Sequence, residues 1–587
     1  MLLSALCTAP PPLAMPNVVS DRRAFMTYMS GLGLGSTLFP GVLWAKVERA
    51  VDISTLHIVA AEELAGVKFT DAQRELMVEG LKQQVQSIEM LHKQVLDNAV
   101  APAVVLNPAP AGFEMPKGAP GPMVREKVPV MTAPSNREEL AFATVAELST
   151  LVRARKVTSM QLTEMYLTRL ERFDPVLHCV VTLTPERARA QARAADEEIA
   201  RGRYRGALHG IPWGAKDLLA ARGYKTTWGA GPYREQVIDR DAAVVKRLDD
   251  AGAVLIAKLT LGELAQGDRW FGGMTRNPWK TDQGSSGSSA GPGSATAAGL
   301  VGFAIGSETL GSISSPATRN GVTGLRPTFG RVPRSGAMAL SWTMDKLGPM
   351  ARSVEDCALI FDAIHGPDGE DLSCRAAPFT WNATAPLASI RVGYVKSAFD
   401  LPERDAADST RVQHPTRKFD NDALGVLRGL GITLIPVEIP DLPYGAMRLA
   451  LSAEAAAAFD DLTRSGRDKE LVGQGRGDWH NTFRVARFIP AVDYVNANRL
   501  RSVAIARWHD LFRQVDVIVV PTNGNQLTAT NLTGHPAVIL PHGFREDGTP
   551  VSLTFLGGLF DEARMLRVAH AYQRATDFHL KHPVVKA

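Results

Sequence analysis

One run of small residues, broken by a buried-strand pattern, constrains this chain more than any other feature. Residues 284–316 are GSSGSSAGPGSATAAGLVGFAIGSETLGSISSP. Gly and Ser at such density suit a flexible linker, but the run LVGFAI and the alanines around it would not stay in water. Small residues instead let backbones approach closely inside a core. The stretch is therefore expected to fold into the interior, carrying serine loops on either side of the apolar run. It also contains Gly287-Ser288-Ser289-Ala290-Gly291, which fits the G-x-S-x-G nucleophile elbow with Ser289 as nucleophile. That motif needs a strand directly before it. The preceding NPWKTDQGSS is polar and turn-forming, so the elbow is rejected.

The surrounding sequence has the periodicity of an α/β domain. With 587 residues, 45% of them hydrophobic and 21% charged, one large catalytic domain with smaller appendages is expected. Apolar runs at 253–258, 301–305 and 515–522 alternate with helical segments. TVAELSTLVRARKVTSMQLTEMYLTRLERF predicts two helices, the second capped at Ser159, and ERARAQARAADEEIARG predicts another ending at Gly202. Strands alternating with helices imply a mixed, twisted sheet covered on both faces. Ahead of this domain, residues 69–96 form a helical stripe (Leu81, Val85, Ile88, Val95) opened by a Thr70–Gln73 capping box. That stripe must pack on the main domain or on another subunit, which is compatible with a homodimer. Residues 101–134 are Pro-rich, an extended linker or a surface strap. The expected organisation is an export signal over 1–46, a helical extension over 47–100, the Pro-rich segment over 101–138 and the catalytic domain over 139–587.

Several function classes drop out. A net charge of +4, with basic residues scattered, leaves no nucleic-acid footprint. Cys7, Cys179, Cys357 and Cys374 show neither metal-ligand spacing nor a disulfide framework. Phosphate-loop, His-Glu-x-x-His and Ser-x-x-Lys motifs are missing, so no metal or cofactor is expected. At the N-terminus, SDRRAFMT precedes the mildly apolar YMSGLGLGSTLFPGVLWA. A twin arginine before such a stretch predicts a twin-arginine export signal, a periplasmic or secreted protein, and no stable membrane span after removal. Met15 is an alternative start.

Two lysines compete for a chemical role. Lys216 in HGIPWGAKDLLA and Lys258 in LIAKLTLGEL both lie beside apolar segments, where burial favours the neutral amine. On local sequence either is equally an ion-paired lysine, with Asp217 the partner beside Lys216. Ser307-Glu308-Thr309-Leu310-Gly311-Ser312 follows the VGFAI strand, and a loop of small residues there can aim several amides at one oxyanion. Trp270, Phe271, Met274 and Trp342 are candidates to line a pocket. His209, His535 and His542 are read as structural.

Together, HGIPWGAKD, GSSAGPGSATAAGLVGFAIGSETLGSI, VTGLRPTFGRVPRSG and MDKLGPMARSVEDCALIFDAI resemble the amidase signature family in order and spacing. The resemblance runs over about residues 140–587. It implies the amidase signature fold and a Ser–cis-Ser–Lys triad, with Lys216 as base, Ser288 as bridge and Ser312 as nucleophile. It also implies an oxyanion hole from the amides of Thr309, Leu310, Gly311 and Ser312. Ala290 and Leu310 stand where glycines are common. Ile313-Ser314 replaces a frequent Ile-Arg, which removes an expected partner for Glu308. The implied activity is hydrolysis of a carboxamide or ester through a Ser312 acyl-enzyme. The alternatives are the glutaminase subunit of an amidotransferase and a catalytically silent binding protein. The expected partner is a small-molecule or peptide amide.

Overall fold

Apolar runs bounded by Gly, Pro and Asp become the strands of one mixed sheet. The computed structural model describes residues 53–586 except 95, 406, 409 and 523. The twin-arginine stretch, Cys7 and Val95 therefore lie outside the described residues. The strands of the main sheet are β1 Val180–Leu183, β2 Pro212–Lys216, β3 Val254–Leu259, β4 Phe303–Glu308, β5 Thr323–Arg326 and β6 Lys346–Ala351. They continue with β7 Val392–Val395, β8 Leu434–Val437, β9 Val517–Pro521, β10 Ala537–Phe544 and β11 Pro550–Gly557. Their order across the sheet is β1-β3-β2-β4-β6-β5-β10-β11-β9-β7-β8. β2 runs parallel to both β3 and β4, β6 lies antiparallel to β4, and β9, β7 and β8 are again parallel. β2, β3, β4 and β6 are buried along their whole length. Helices flank the sheet, so these strands carry apolar residues on both faces instead of alternating.

Helix starts follow side-chain capping. Thr144 and Glu147 form a capping box before Val145–Arg153. The helix Ser159–Leu177 is capped by Thr158, whose Oγ1 accepts from the Gln161 amide at 3.0 Å. This corrects the expected cap at Ser159. Ser159 is already helical; its amide donates to Asp196 and its hydroxyl to the Gly210 carbonyl. The helix Pro185–Ala200 ends before Gly202, whose φ of 85° closes the turn.

The linker-like stretch folds inward. Its first half forms the helix Ala290–Ala297, in which every residue is buried. The reason is close backbone approach: a Cβ on Gly291 would lie 2.5 Å from the Thr260 amide nitrogen and 2.6 Å from the Cys179 carbonyl oxygen. β4 begins at Phe303, two residues later than the apolar pattern alone indicates. The Gly302 amide is used instead to bond the Pro212 carbonyl at 2.9 Å.

Among the described residues, those up to Leu96, with Phe488–Pro490, form a separate compact unit. It contains the helices Thr55–Ala65 and Asp71–His92, the second opened by the Thr70–Gln73 capping box. Arg74 joins the two helices through Glu62 at 2.8 Å. In the main unit, the Pro-rich segment is attached along its length. Phe113 and Met115 pack on Ala377, Leu559 and Phe560. Val124 bridges Asn382, and the Glu126 carboxylate pairs with Arg574 at 2.8 Å.

Gly291→Ala tests the close packing. In an exposed helix this change stabilises by about 1 kcal/mol. Here the overpacking dominates, and a loss of about 1–3 kcal/mol is expected, read as a lower thermal midpoint. A raised midpoint would overturn this account.

Candidate active site

Lys216 is the last residue of β2. The parallel register sets Trp213 opposite Phe303 and Ala215 opposite Ile305, so Lys216 emerges beside the end of β4. Carboxyl ends of parallel strands are where α/β sheets place their ligands. Lys216 Nζ lies 2.8 Å from Ser288 Oγ, 3.0 Å from Ser289 Oγ and 2.8 Å from Ser307 Oγ. The lysine is fully buried, and burial pushes its pKa well below the ordinary value against the pull of Asp345 and Glu308.

Ser288 sits in a loop that enters from a short ribbon, Arg276–Asn277 against Lys280–Gly284. The Gly287–Ser288 peptide bond is cis. Only glycine fits at 287, since a Cβ would meet the Gly267 carbonyl oxygen at 1.7 Å. Ser289 is occupied by structure: its hydroxyl donates to the Ser307 carbonyl and accepts from the Ser307 amide, both at 3.1 Å. The helix after it starts from this loop, which separates it from the short strand Lys280–Gly284, so the direct strand-to-helix turn of a nucleophile elbow is not formed.

Beyond β4 the chain turns through Thr309, Leu310, Gly311 and Ser312, with Gly311 at a φ of 85°. Among the described residues, the amides of these four positions meet no acceptor. The Ser312 carbonyl accepts from the Ser289 amide at 3.1 Å, which draws the two serine loops together. Ser312 Oγ has no hydrogen-bond partner among the described residues.

The turn is held from beneath by Glu308. Its Oε2 accepts from the Ile313 and Ser314 amides at 2.9 and 2.8 Å and from Ser314 Oγ at 2.8 Å. Its Oε1 accepts from Arg326 Nη1 and Asn531 Nδ2, both at 2.8 Å. The expected loss of a partner for Glu308 is thus corrected. Arg326, reaching over from β5, supplies the charge that an arginine after Ile313 would have given. Burial alone would raise the Glu308 pKa, but Arg326 and the amide donors pull it down to about 2.

A family model described as Amidase matches residues 161–530, the span that holds Lys216, both serine loops and Arg326. The chain belongs to the amidase signature family. Over 487 residues the amidase is 34% identical to a protein of Methylococcus capsulatus that is named as one of the subunits of glutamyl-tRNA(Gln) amidotransferase, covering 75% of this chain and 98% of that one. It matches the native peptide amidase of Stenotrophomonas maltophilia with a TM-score of 0.65 at 30% identity, over 77% of this chain and 100% of that one. A vestigial protein complex that bears on the origins of an s-triazine catabolic enzyme matches with a TM-score of 0.67 at 28% identity, over 73% and 98%. The amidase is therefore an enzyme that acts on amide C–N bonds, and its relatives include members of larger protein complexes. These relatives overturn the expected export to the periplasm or medium. Several are named as parts of an enzyme of glutamyl-tRNA(Gln), a cytoplasmic molecule. Among the described residues no helix is long and apolar enough to cross a membrane.

The remaining candidates of the amidase separate cleanly. Lys258 is also fully buried, but it pairs with Asp217 at 2.6 Å and donates to Thr226 and the Lys225 carbonyl. Asp217 is thereby the partner of Lys258 and not of Lys216. Trp342 lines a cavity beside the site, whereas Trp270, Phe271 and Met274 do not. His209 is buried in its turn, accepting from the Arg205 amide. His542 lies in β10 and bonds Asp420. Ser307, Asp345 and Arg326 were not singled out from the sequence. Only the β2–β4 register could have pointed to Ser307.

Glu308→Gln tests the support beneath the turn. The wild-type carboxyl titrates near 4.5 when unfolded and about 2 when folded. Its stabilisation is therefore complete above pH 4.5 and lost as pH falls through about 2. The variant is expected to lose about 3–5 kcal/mol at neutral pH, leaving Arg326 unpaired. Its stability should also vary less between those two pH values. Urea unfolding across pH checks both, and an equally stable variant would refute the assignment.

Proposed function

We propose that this amidase hydrolyses a carboxamide through an acyl-enzyme on Ser312. The observation that carries the reading is the buried Lys216 amine 2.8 Å from Ser288 Oγ, next to a turn whose amides meet no acceptor among the described residues. A serine hydroxyl needs a base before it attacks. Lys216, kept neutral by burial, takes the Ser312 proton through the Ser288 hydroxyl, which donates and accepts at once. The Ser312–Ser288 contact forms when substrate seats, as such bonds commonly tighten only in the complex. The oxyanion is held by amides of Thr309, Leu310, Gly311 and Ser312. The proton then returns through Ser288 to the leaving amine, and water releases the acyl group by the same route. An ester would follow the identical path with an alcohol leaving.

The names of the relatives favour a second reading, a glutaminase-type component of an amidotransferase. Glutamine carries an α-ammonium and an α-carboxylate, and each calls for an opposite charge in the pocket. Of the five charged side chains around the neighbouring cavity, four are paired with one another, Arg334 with Asp371 at 2.8 Å and Arg240 with Glu370 at 2.7 Å, and the fifth, Asp345, is held by the Thr309 hydroxyl and the Leu340 and Ser341 amides. That supports a neutral amide over glutamine.

Ser312→Ala and Lys216→Ala are each expected to lower kcat/KM by about 10³-fold or more, in line with removal of members of a catalytic unit. A folded variant that keeps near wild-type turnover sinks the mechanism. Because the protonated lysine cannot act as base, kcat/KM should rise with pH on an acid limb well below the ordinary lysine value of 10.5. Turnover of glutamine in preference to neutral amides would favour the second reading.

A further inference from the structure

A cavity of about 380 Å³ adjoins the serine–lysine cluster, within the range that accepts a drug-sized ligand. Ser307, which bonds Lys216, and Thr309, the first residue of the amide turn, form part of its lining. Leu218, Met338, Leu340, Trp342 and Leu347 make much of its apolar surface. Ala101, Pro102, Ala103, Val104 and Val105, from the Pro-rich segment outside the family match, line it as well. We propose that residues 101–105 are a specificity wall that sets the size of substrate group this amidase accepts, and that the group is uncharged and largely apolar. This rests on the reading of Ser312 as nucleophile.

Three observations support it. First, the wall is anchored. Asn98 Nδ2 donates to the Ala339 carbonyl at 2.9 Å, and its Oδ1 accepts from the Ala339 amide at 2.8 Å. The segment is thus tied to the loop that forms another side of the same cavity. Second, it leaves apolar surface open there. Val104 is 76% exposed and Leu372 73% exposed, and both line the cavity together with Val105. Large exposed apolar side chains gathered around one cavity mark a binding surface. Third, every charged side chain of the lining already has ion-pair or hydrogen-bond partners. Besides the pairs of Arg334 and Arg240, Asp345 accepts from Thr309 Oγ1 at 2.5 Å and from the Leu340 and Ser341 amides at 2.8 and 2.9 Å. A charged substrate group would have to displace one of these partners to gain a counter-charge, or pay its desolvation uncompensated.

The test uses full-length protein and two alkyl fluorophosphonates that differ only in chain length, ethyl and decyl. Ser312 Oγ forms a bond to phosphorus, the P–F bond breaks, fluoride leaves, and the serine proton passes to Lys216 through Ser288. The decyl probe is expected to label wild type faster than the ethyl probe. Val105→Trp should cut that ratio by about tenfold or more, as filling an apolar pocket does. Val105→Ala keeps the test alive if the tryptophan variant does not fold, and should shift preference toward still longer chains. Labelling that stays specific to Ser312, with a chain-length ratio unchanged in these variants, overturns the wall alone. Labelling that persists in Ser312→Ala, or none in wild type, overturns the nucleophile reading and the wall with it.

Discussion

A lysine amine buried with no carboxylate in ion-pair range would cost several kcal/mol if charged, and the site around Lys216 is organised by that cost. Three serine hydroxyls at 2.8–3.0 Å replace the lost water without supplying a counter-charge. Hydrogen bonds thus satisfy the nitrogen while burial keeps its proton affinity low. A carboxylate in the same place would have stabilised the ammonium and held the proton on it. The loops of small residues follow from this requirement, since hydroxyls must come from separate segments and their backbones must approach closely. Gly287 against the Gly267 carbonyl is the plainest instance.

The neighbouring strand shows the opposite solution. Lys258 in β3 is equally buried, yet it meets Asp217 at 2.6 Å. The two lysines sit near the carboxyl ends of adjacent parallel strands, in similar sequence surroundings. What separates them is the partner each finds: an aspartate for Lys258, hydroxyls for Lys216. Glu308 and Arg326 form the second buried pair that matters. Their ion pair, with the Ile313 and Ser314 amides, fixes the turn from below, which leaves the amides of 309–312 free on its other side.

Much of the fold was legible in the chain. The runs at 253–258 and 515–522, the helices over 144–177 and 185–200 and the mixed sheet followed from apolar periodicity and turn residues. The errors were local and had local causes. Thr158 took the cap because its hydroxyl, not that of Ser159, precedes the first helical turn. β4 started late because Gly302 was needed by the Pro212 carbonyl. Of the site, ordered motifs pointed to Lys216, Ser288 and Ser312, and the structure brings their loops together. Arg326 escaped notice because its contact with Glu308 spans two strands that are not neighbours in the sheet.

By itself, then, the sequence determined the strands, the helices, the small-residue loops and the family, because these depend on local pattern and on ordered motifs. Tertiary structure alone decided which lysine is paired and which is left among hydroxyls, since that turns on the register of β2 between β3 and β4. It also decided that Glu308 keeps a cation despite the missing local arginine. The same holds for the Pro-rich segment, whose composition left open an extended linker or a surface strap. Its place along the cavity comes from the Asn98–Ala339 hydrogen bonds, a contact between residues far apart in the chain.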